Sequence, residues 1–333
     1  MIRRLLQRLK RSSSPTLGVD GKLRLVNSQG QPNINDLWRA TKDIEALRLS
    51  VKALGYELAR TLEQKLQSIP VDPPRSIGLE SKAATQADIE SRWCRGWCAA
   101  LRERPRYHRR LWENAFVLQA LFEGGAQADG ASVLAIAPGD NRILSHLSAI
   151  GVRSMVADES LPAAREELVA QDVFNKAVKL HSGGRSLAGL SGYDACWSIG
   201  RAGAMGSIAA GMDFVTRAMD ALKPGGLAVH VFDFNFADDE RTIDNWPAVL
   251  FQRSHIEALC RALGAAGHAP RRLDFHLGHQ PMDRFIDLPP FDTHRTEAFD
   301  ALWRDGWQGA HLKVAIDGFA TTSFGLICRK AGG

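Results

Sequence analysis

Long apolar runs are missing from this 333-residue chain: none approaches the roughly 18 residues a bilayer-crossing helix needs, so a soluble or surface-bound protein is expected. Cysteine is sparse, with Cys94, Cys98, Cys196, Cys260 and Cys328 odd in number and widely scattered. With no secretory leader before them, free buried thiols in a reducing cytosol are the expectation. Cys94 and Cys98 can share a helical face, but no nearby histidine or second cysteine pair completes a tetrahedral zinc site. Acid is absent from the first eleven residues, where Arg3, Arg4, Arg8, Lys10 and Arg11 carry five positive charges. The net charge of the whole chain is +5, so the rest is formally neutral. A basic tail of this kind does not make a nucleic-acid surface, and no nucleic-acid partner is expected. No internal repeat of solenoid period and no long low-complexity segment is present.

What is present divides into four segments. Residues 1–34 are a basic tail and linker. In "MIRRLLQRLKR", Ile2, Leu5, Leu6 and Leu9 fall at i, i+3, i+4 and i+7 with cations on the other face, the pattern of a short interfacial helix drawn to an anionic membrane through residues 1–11. A transit peptide or a solvated tail are the competing readings of it. Residues 35–70 read as one long helix, capped by Asn35 or Asp36 and ended by Pro70. Leu37, Ala40, Ile44, Leu47, Val51, Leu54 and Leu58 alternate in steps of three and four, and Leu62, Leu66 and Ile69 then shift phase. That is a coiled-coil seam with a stutter, and it predicts a homo-oligomer through residues 36–69; a helix folded back on its own domain is the alternative. Residues 71–88 are Pro-rich and polar and read as a linker.

From residue 89 to 333 helix and strand alternate. "IESRWCRGWCAALRE" and "HRRLWENAFVLQALFEGG" read as helices, "SVLAIA" as a buried strand, "NRILSHLSAIG" as a helix, "RSMVAD" and "YDACWSI" as strands, "AGMDFVTRAMDALKPGG" as a helix and "LAVHVFDF" as a strand. Such alternation implies a parallel sheet with helices on both faces. The end differs: "HLKVAIDGFATTSFGLICRK" carries two β-rich runs around Asp317-Gly318, an antiparallel hairpin signal.

In an open sheet of this class a cofactor sits beyond the carboxyl ends of the strands, where the first strand turns into its helix. That turn is "AIAPGDN", Ala135 to Asn141, in which Ala135 and Ala137 stand where glycines ordinarily let a ligand approach backbone, leaving Gly139. Pro138 removes a backbone donor as well. The second strand ends in Asp158, nineteen residues after Gly139, the interval at which an acid accepts hydrogen bonds from ribose hydroxyls. An N-cap for the segment that follows is the other reading of Asp158.

Taken with the blocks "HRRLWE", "VAD", "YDACWSIGRAGAMGSIAAGMDF", "LKPGGLAVHVFDFN", "RSHIEALCRALGAAGH" and the terminal hairpin, these features resemble class I S-adenosylmethionine-dependent methyltransferases, in particular a bacterial branch of surface-polysaccharide biosynthesis. The resemblance covers Trp93 to Lys330. It implies an α/β, Rossmann-like methyltransferase sheet, mostly parallel with a terminal antiparallel hairpin, preceded by the long helix or coiled coil. It implies S-adenosylmethionine as cofactor, held by Ala135, Ala137, Gly139, Asp140, Asp158 and Ser198. Asp233, His230 and Asn235 are the implied catalytic residues, and the acceptor is a glycan, a nucleotide-sugar or a lipid-linked sugar, handled in the cytoplasm or on the inner membrane.

The departures are specific. Where the branch carries a Glu-His pair, this chain has Gly203 and Ala204; where it carries "HTTEFN", this chain has His230 to Asn235 with the acid shortened to Asp233. Hydrogen and methyl do no acid-base work, so a catalytically inactive scaffold or assembly partner is the alternative function. A nicotinamide-dependent oxidoreductase is a distant third. His276, His279, Asp283 and Asp287 lie close in sequence, but nothing fixes them on one face and no metal site is expected. The same region, with Trp303 and Trp307, reads as an insertion covering the acceptor.

Overall fold

The structure is a computed structural model that describes residues 43–138, 141–159, 163–289, 291 and 310–332. The basic tail, the start of the long helix, Gly139, Asp140, Trp303 and Trp307 lie outside the described residues. Two compact units divide the chain, residues 1–55 and 56–333. Helix α1, Ile44–Ser68, begins in the first and ends in the second. It spans 25 residues, and Ile44, Leu47, Val51, Leu54 and Leu58 on it are exposed.

The second unit is built on a ten-stranded sheet of order β4-β3-β2-β5-β6-β10-β1-β8, with β7 and β9 also pairing β10. The strands are β1 Ser81–Ala83, β2 Ser132–Ile136, β3 Arg153–Ala157, β4 Val178–Leu180, β5 Tyr193–Ile199, β6 Leu222–Asn235, β7 Ala269–Pro270, β8 Leu273–Asp274, β9 Val314–Ile316 and β10 Phe319–Arg329. Strands β4 through β6 are parallel, and β10 runs antiparallel between β6 and β1. The chain winds outward from β2 to β4, then crosses back to β5 and β6. A topological switch point therefore lies between the carboxyl ends of β2 and β5.

The expected hairpin forms, with Asp317 at φ +47° and Gly318 at φ +86° between β9 and β10. Two successive positive-φ residues make the turn whose twist matches its strands, which is why Asp-Gly occupies it. The segment read as a linker differs from expectation: β1 lies within it and pairs both β10 and β8. A three-residue strand has no alternation to read, and its partners β8 and β10 lie roughly 190 and 240 residues away.

Helices flank both faces: α2 Arg92–Ala100, α3 Arg109–Glu123, α4 Arg142–Ala149, α5 Gln171–Ala177, α6 Ile208–Ala218 and α7 Arg253–Ala265. Strand alternation sorts the core. On β6, Val229 and Val231 join Trp112 and Phe116 of α3 in one cluster, while Ala228, Phe232 and Phe234 join Val215, Ile256 and Leu259 of α6 and α7 in the other. Helix α3 lies close on the sheet because Gly325 has no side chain: a Cβ there would stand 2.2 Å from the Phe116 ring. This contact sets where the first turn of α3 meets the top of β6.

Candidate active site

Three strand ends and the N-terminus of α3 surround the switch point. At the end of β2, Ala137 adopts φ +48°, and its N–H donates to the Ala157 carbonyl at 3.2 Å. A side chain at positive φ crowds the following carbonyl, so the glycine-type backbone of this turn persists without the glycine. Ala135 is different. It sits inside β2, fully buried in the core cluster under α3, and is placed to fill that core and not to touch a cofactor.

Asp158 stands at the end of β3. Its Oδ1 accepts from the Glu159 N–H at 2.7 Å and from Arg185 Nε at 3.3 Å. Arg185 is nearly half exposed, so this pair is screened and exchangeable. Arg201, just beyond β5, completes the group: burial lowers its pKa, and the charge of Arg185 lowers it further against the pull of Asp158 and Glu159. A cavity of about 480 Å³ opens beside Arg185, between the 185–190 loop and α6, with Leu187, Leu190, Met205 and Phe214 in its wall.

Asp233 points toward α3. Its Oδ1 binds Arg109 Nη1 at 2.5 Å, and this carboxylate is the main reason the Arg109 pKa rises above its ordinary value. Gly203 borders the same carboxylate: a Cβ there would lie 4.0 Å from Asp233 Oδ2 and 3.2 Å from the Val249 carbonyl. The space that a larger residue at 203 needs is therefore closed by backbone. Opposite Asp233 on β10, Ser323 donates to Glu113 of α3 at 2.6 Å.

His230 and Ser198, expected in catalysis and cofactor binding, occupy the other face. Three residues from Asp233 on a strand, His230 must point the opposite way. It is buried beside Ser198, with Oγ and Nδ1 2.8 Å apart, and meets Phe214 edge-on at 5.7 Å. Burial pushes its pKa down to about 4, so it is a neutral core histidine. Asn235 is also structural. Fully buried at the end of β6, it donates to the Asp238 and Arg241 carbonyls and accepts from the Ala237 N–H, clamping the loop that follows.

Sequence reasoning passed over a second cluster at the N-terminus of α3. Asp287, fully buried, lies 2.6 Å from His311 Nδ1 through Oδ2, and Tyr56 donates to the same oxygen at 3.1 Å. The His311 ring meets His108 edge-on at 5.0 Å, and the His311 carbonyl accepts from the Arg109 N–H. His108 caps α3 by accepting from the Arg110 N–H. Asp287 and His311 thus make a close, buried carboxylate–imidazole pair, the chemical components of a base and its orienter, and the His311 backbone ties it to Arg109 of the Arg109–Asp233 pair. The signal available beforehand was "HRRLWE" together with the His/Asp-rich stretch, but nothing local joins residues 108, 287 and 311.

The remaining histidines and acids go separate ways. His276 and His279 face each other at 3.0 Å between Nε2 atoms, while Asp283 accepts from the Gln86 and Gln280 N–H groups. No three His, Cys, Asp or Glu side chains converge on a metal-sized site among the described residues. The five cysteines are free, four of them buried.

No known family profile and no curated protein matches the chain in sequence. Solved structures to which the chain is similar include an O-methyltransferase family protein of Burkholderia thailandensis (15% identity, TM-score 0.36), with 68% of this chain covering 60% of that one. A putative methyltransferase of Bacillus halodurans C-125 matches at 15% identity and TM-score 0.37, over 64% of this chain and 98% of that one. Magnesium protoporphyrin IX methyltransferase of Synechocystis PCC 6803, solved with bound SAM, matches at 11% and 0.38, over 72% and 85%. The chain thus spans 60% of the length of the Burkholderia protein.

Proposed function

We propose that this chain is an S-adenosylmethionine-dependent methyltransferase acting on a hydroxyl of a sugar or lipid-linked glycan in bacterial surface-polysaccharide synthesis. The observation that carries this reading is the switch-point crevice with Asp158 at the end of β3 and the Arg109–Asp233 pair at the end of β6. The residues present fit the cofactor: Asp158 is offered to a ribose by an ion pair weak enough to exchange, and Ala137 keeps the backbone shape of a cofactor turn. When bound, S-adenosylmethionine supplies an electrophilic methyl group.

The chain's own share is orientation and proton removal. Gly203 and Ala204 carry no acid-base group, so the Asp287–His311 dyad is the candidate base for the acceptor hydroxyl. Arg109 holds the Asp233 carboxylate in place as a hydrogen-bond acceptor beside it. Replacing His311 by alanine is expected to lower kcat by about 10²- to 10⁴-fold with cofactor affinity unchanged, measured by single-turnover methyl transfer and by calorimetry. Equal activity would remove the dyad from the mechanism.

Calorimetric titration of the full chain with S-adenosylmethionine and S-adenosylhomocysteine tests the reading as a whole. Micromolar binding that is lost in Asp158→Ala is the expected result. No binding up to millimolar ligand would leave the second reading, a non-catalytic scaffold, which is favoured by the Ala137 methyl in the turn and by Arg185 on Asp158. In either reading the exposed seam of α1 is proposed to pair with a second copy of the chain, and the basic residues 1–11 to lie on an anionic inner-membrane surface.

A further inference from the structure

From Tyr56 onward α1 belongs to the second unit, and one face of it is buried there. Tyr56, Ala59 and Leu66 join the core cluster that holds Met282, Ala310 and Leu312, with Phe285 packed against it. At about 100° per residue these three and the buried Glu63 share that face. The helix is also tied by its main chain, since Tyr107 donates to the Leu62 carbonyl at 3.4 Å and to Glu90 at 2.8 Å.

Tyr56 does more than fill this core. Its ring meets Phe285 edge-on at 6.2 Å and His311 edge-on at 6.3 Å, contacts that a phenylalanine would keep. Its hydroxyl donates to Asp287 Oδ2 at 3.1 Å, and that same oxygen stands 2.6 Å from His311 Nδ1. The main chain of Asp287 is already fixed beside β9: its N–H donates to the Lys313 carbonyl, and its carbonyl accepts from the Ala315 N–H. What remains to be set is the rotation of the carboxylate, and the phenol sets it. Asp287 is fully buried, so its charge needs donors, and a phenol supplies one without adding charge. An ionised carboxylate only accepts, so the proton between Asp287 and His311 belongs to Nδ1, and Nε2 is the nitrogen that takes a proton.

We propose that Tyr56 is a positioning residue for the candidate base: it holds the Asp287 carboxylate against His311 and moderates the pull of that carboxylate on the imidazole proton. The proposal rests on His311 serving as base for the acceptor hydroxyl, and it makes α1, which lies outside the alternating strands and helices, a part of the site. A carboxylate oxygen shared with a phenol stabilises an imidazolium less than one left to the imidazole alone, so Tyr56 keeps His311 the weaker base. Besides Asp287 and Tyr56, His108 at the cap of α3 faces the His311 ring at 5.0 Å, and Phe291 meets it edge-on at 5.6 Å.

The test is NMR of the full chain carrying isotope-labelled histidine, with the His311 signals assigned by their loss in His311→Gln, which gives the titration midpoint of this ring with neither cofactor nor acceptor present. Tyr56→Phe is expected to raise that midpoint by about half a pH unit or more, because Oδ2 is then left to the imidazole. Fluorotyrosine placed at position 56, a stronger donor of nearly the same shape, is expected to lower it. Tyr107→Phe removes another buried tyrosine hydroxyl that holds the same helix, and as the control it is expected to leave the midpoint in place. A midpoint that stays put in Tyr56→Phe, shifts equally in Tyr107→Phe, or moves the same way with fluorotyrosine overturns the proposal. Should Tyr56→Phe fail to fold, the fluorotyrosine chain decides alone: a lowered midpoint supports the proposal and an unchanged or raised one overturns it. S-adenosylmethionine titrated into Tyr56→Phe is expected to bind as it does to the natural chain. Absence of binding in both would end the methyltransferase reading and leave the His311 shift standing, so the two failures are told apart.

Discussion

At Ala137 the backbone holds a conformation that suits glycine, and the methyl group costs about 1–2 kcal/mol there. An Ala-to-Gly change ordinarily destabilises by about 0.5–1 kcal/mol through backbone entropy. At this position the two effects oppose, so Ala137→Gly is expected to leave the denaturant midpoint unchanged or raise it, by up to about 1 kcal/mol, and to strengthen S-adenosylmethionine binding. Chemical denaturation and calorimetry on the same variant check both halves. His230 gives a second residue-scale prediction. Its folded pKa of about 4 lies below the ordinary 6.5, so between these values the unfolded chain binds a proton that the native state refuses. Stability must therefore fall as pH drops from about 6.5 toward 4, by roughly 3 kcal/mol from this group. Unfolding measured across that range should show a shallower pH slope in His230→Asn than in the natural chain, whatever the variant's absolute stability.

At the scale of elements, α3 carries the site to the sheet and Gly325 lets it come close. Gly325→Ala is expected to destabilise by about 1–3 kcal/mol, because the new methyl group meets the Phe116 ring and one of them must shift. Urea denaturation reads the loss, and methyl transfer should weaken with it as Arg109 and His108 move. This scale also explains what the sequence made legible. Strands of five or more residues with clear apolar patterning, such as β2 and β5, were readable, as was the Asp-Gly hairpin, because their signals are local. β1, β4, β7 and β8 were not, being two or three residues long and held by partners far along the chain. The site divides the same way. The place of Asp233 at a strand end was legible, whereas the burial of His230 on the opposite face and the loop that Asn235 clamps follow from strand pairing and packing. The Asp287–His311 and Arg109–Asp233 pairings join segments roughly 25 and 125 residues apart and left no local trace.

For the whole molecule, the exposed leucines of α1 are the feature most at odds with an isolated chain. Leu47 and Leu54 are 65% and 73% exposed, a large apolar commitment to water unless a second helix covers it. Leu47→Glu with Leu54→Glu is expected to shift the chain from oligomer to monomer in sedimentation velocity, while residues 56–333 keep their unfolding transition. A natural chain already monomeric at high micromolar concentration would remove the seam as an interface.

β10 has a consequence in time. It comes last of the strands among the described residues, yet it lies between β6 and β1 and supplies a pairing edge to each. While the ribosome still holds residues 319–329, β1 has no antiparallel neighbour and β6 presents an open edge. The sheet therefore closes only once β10 has been made, and the strands before it wait until then with an open centre. A polypeptide cut before residue 319 would stand open along the centre of its sheet, a substrate for chaperones and proteases.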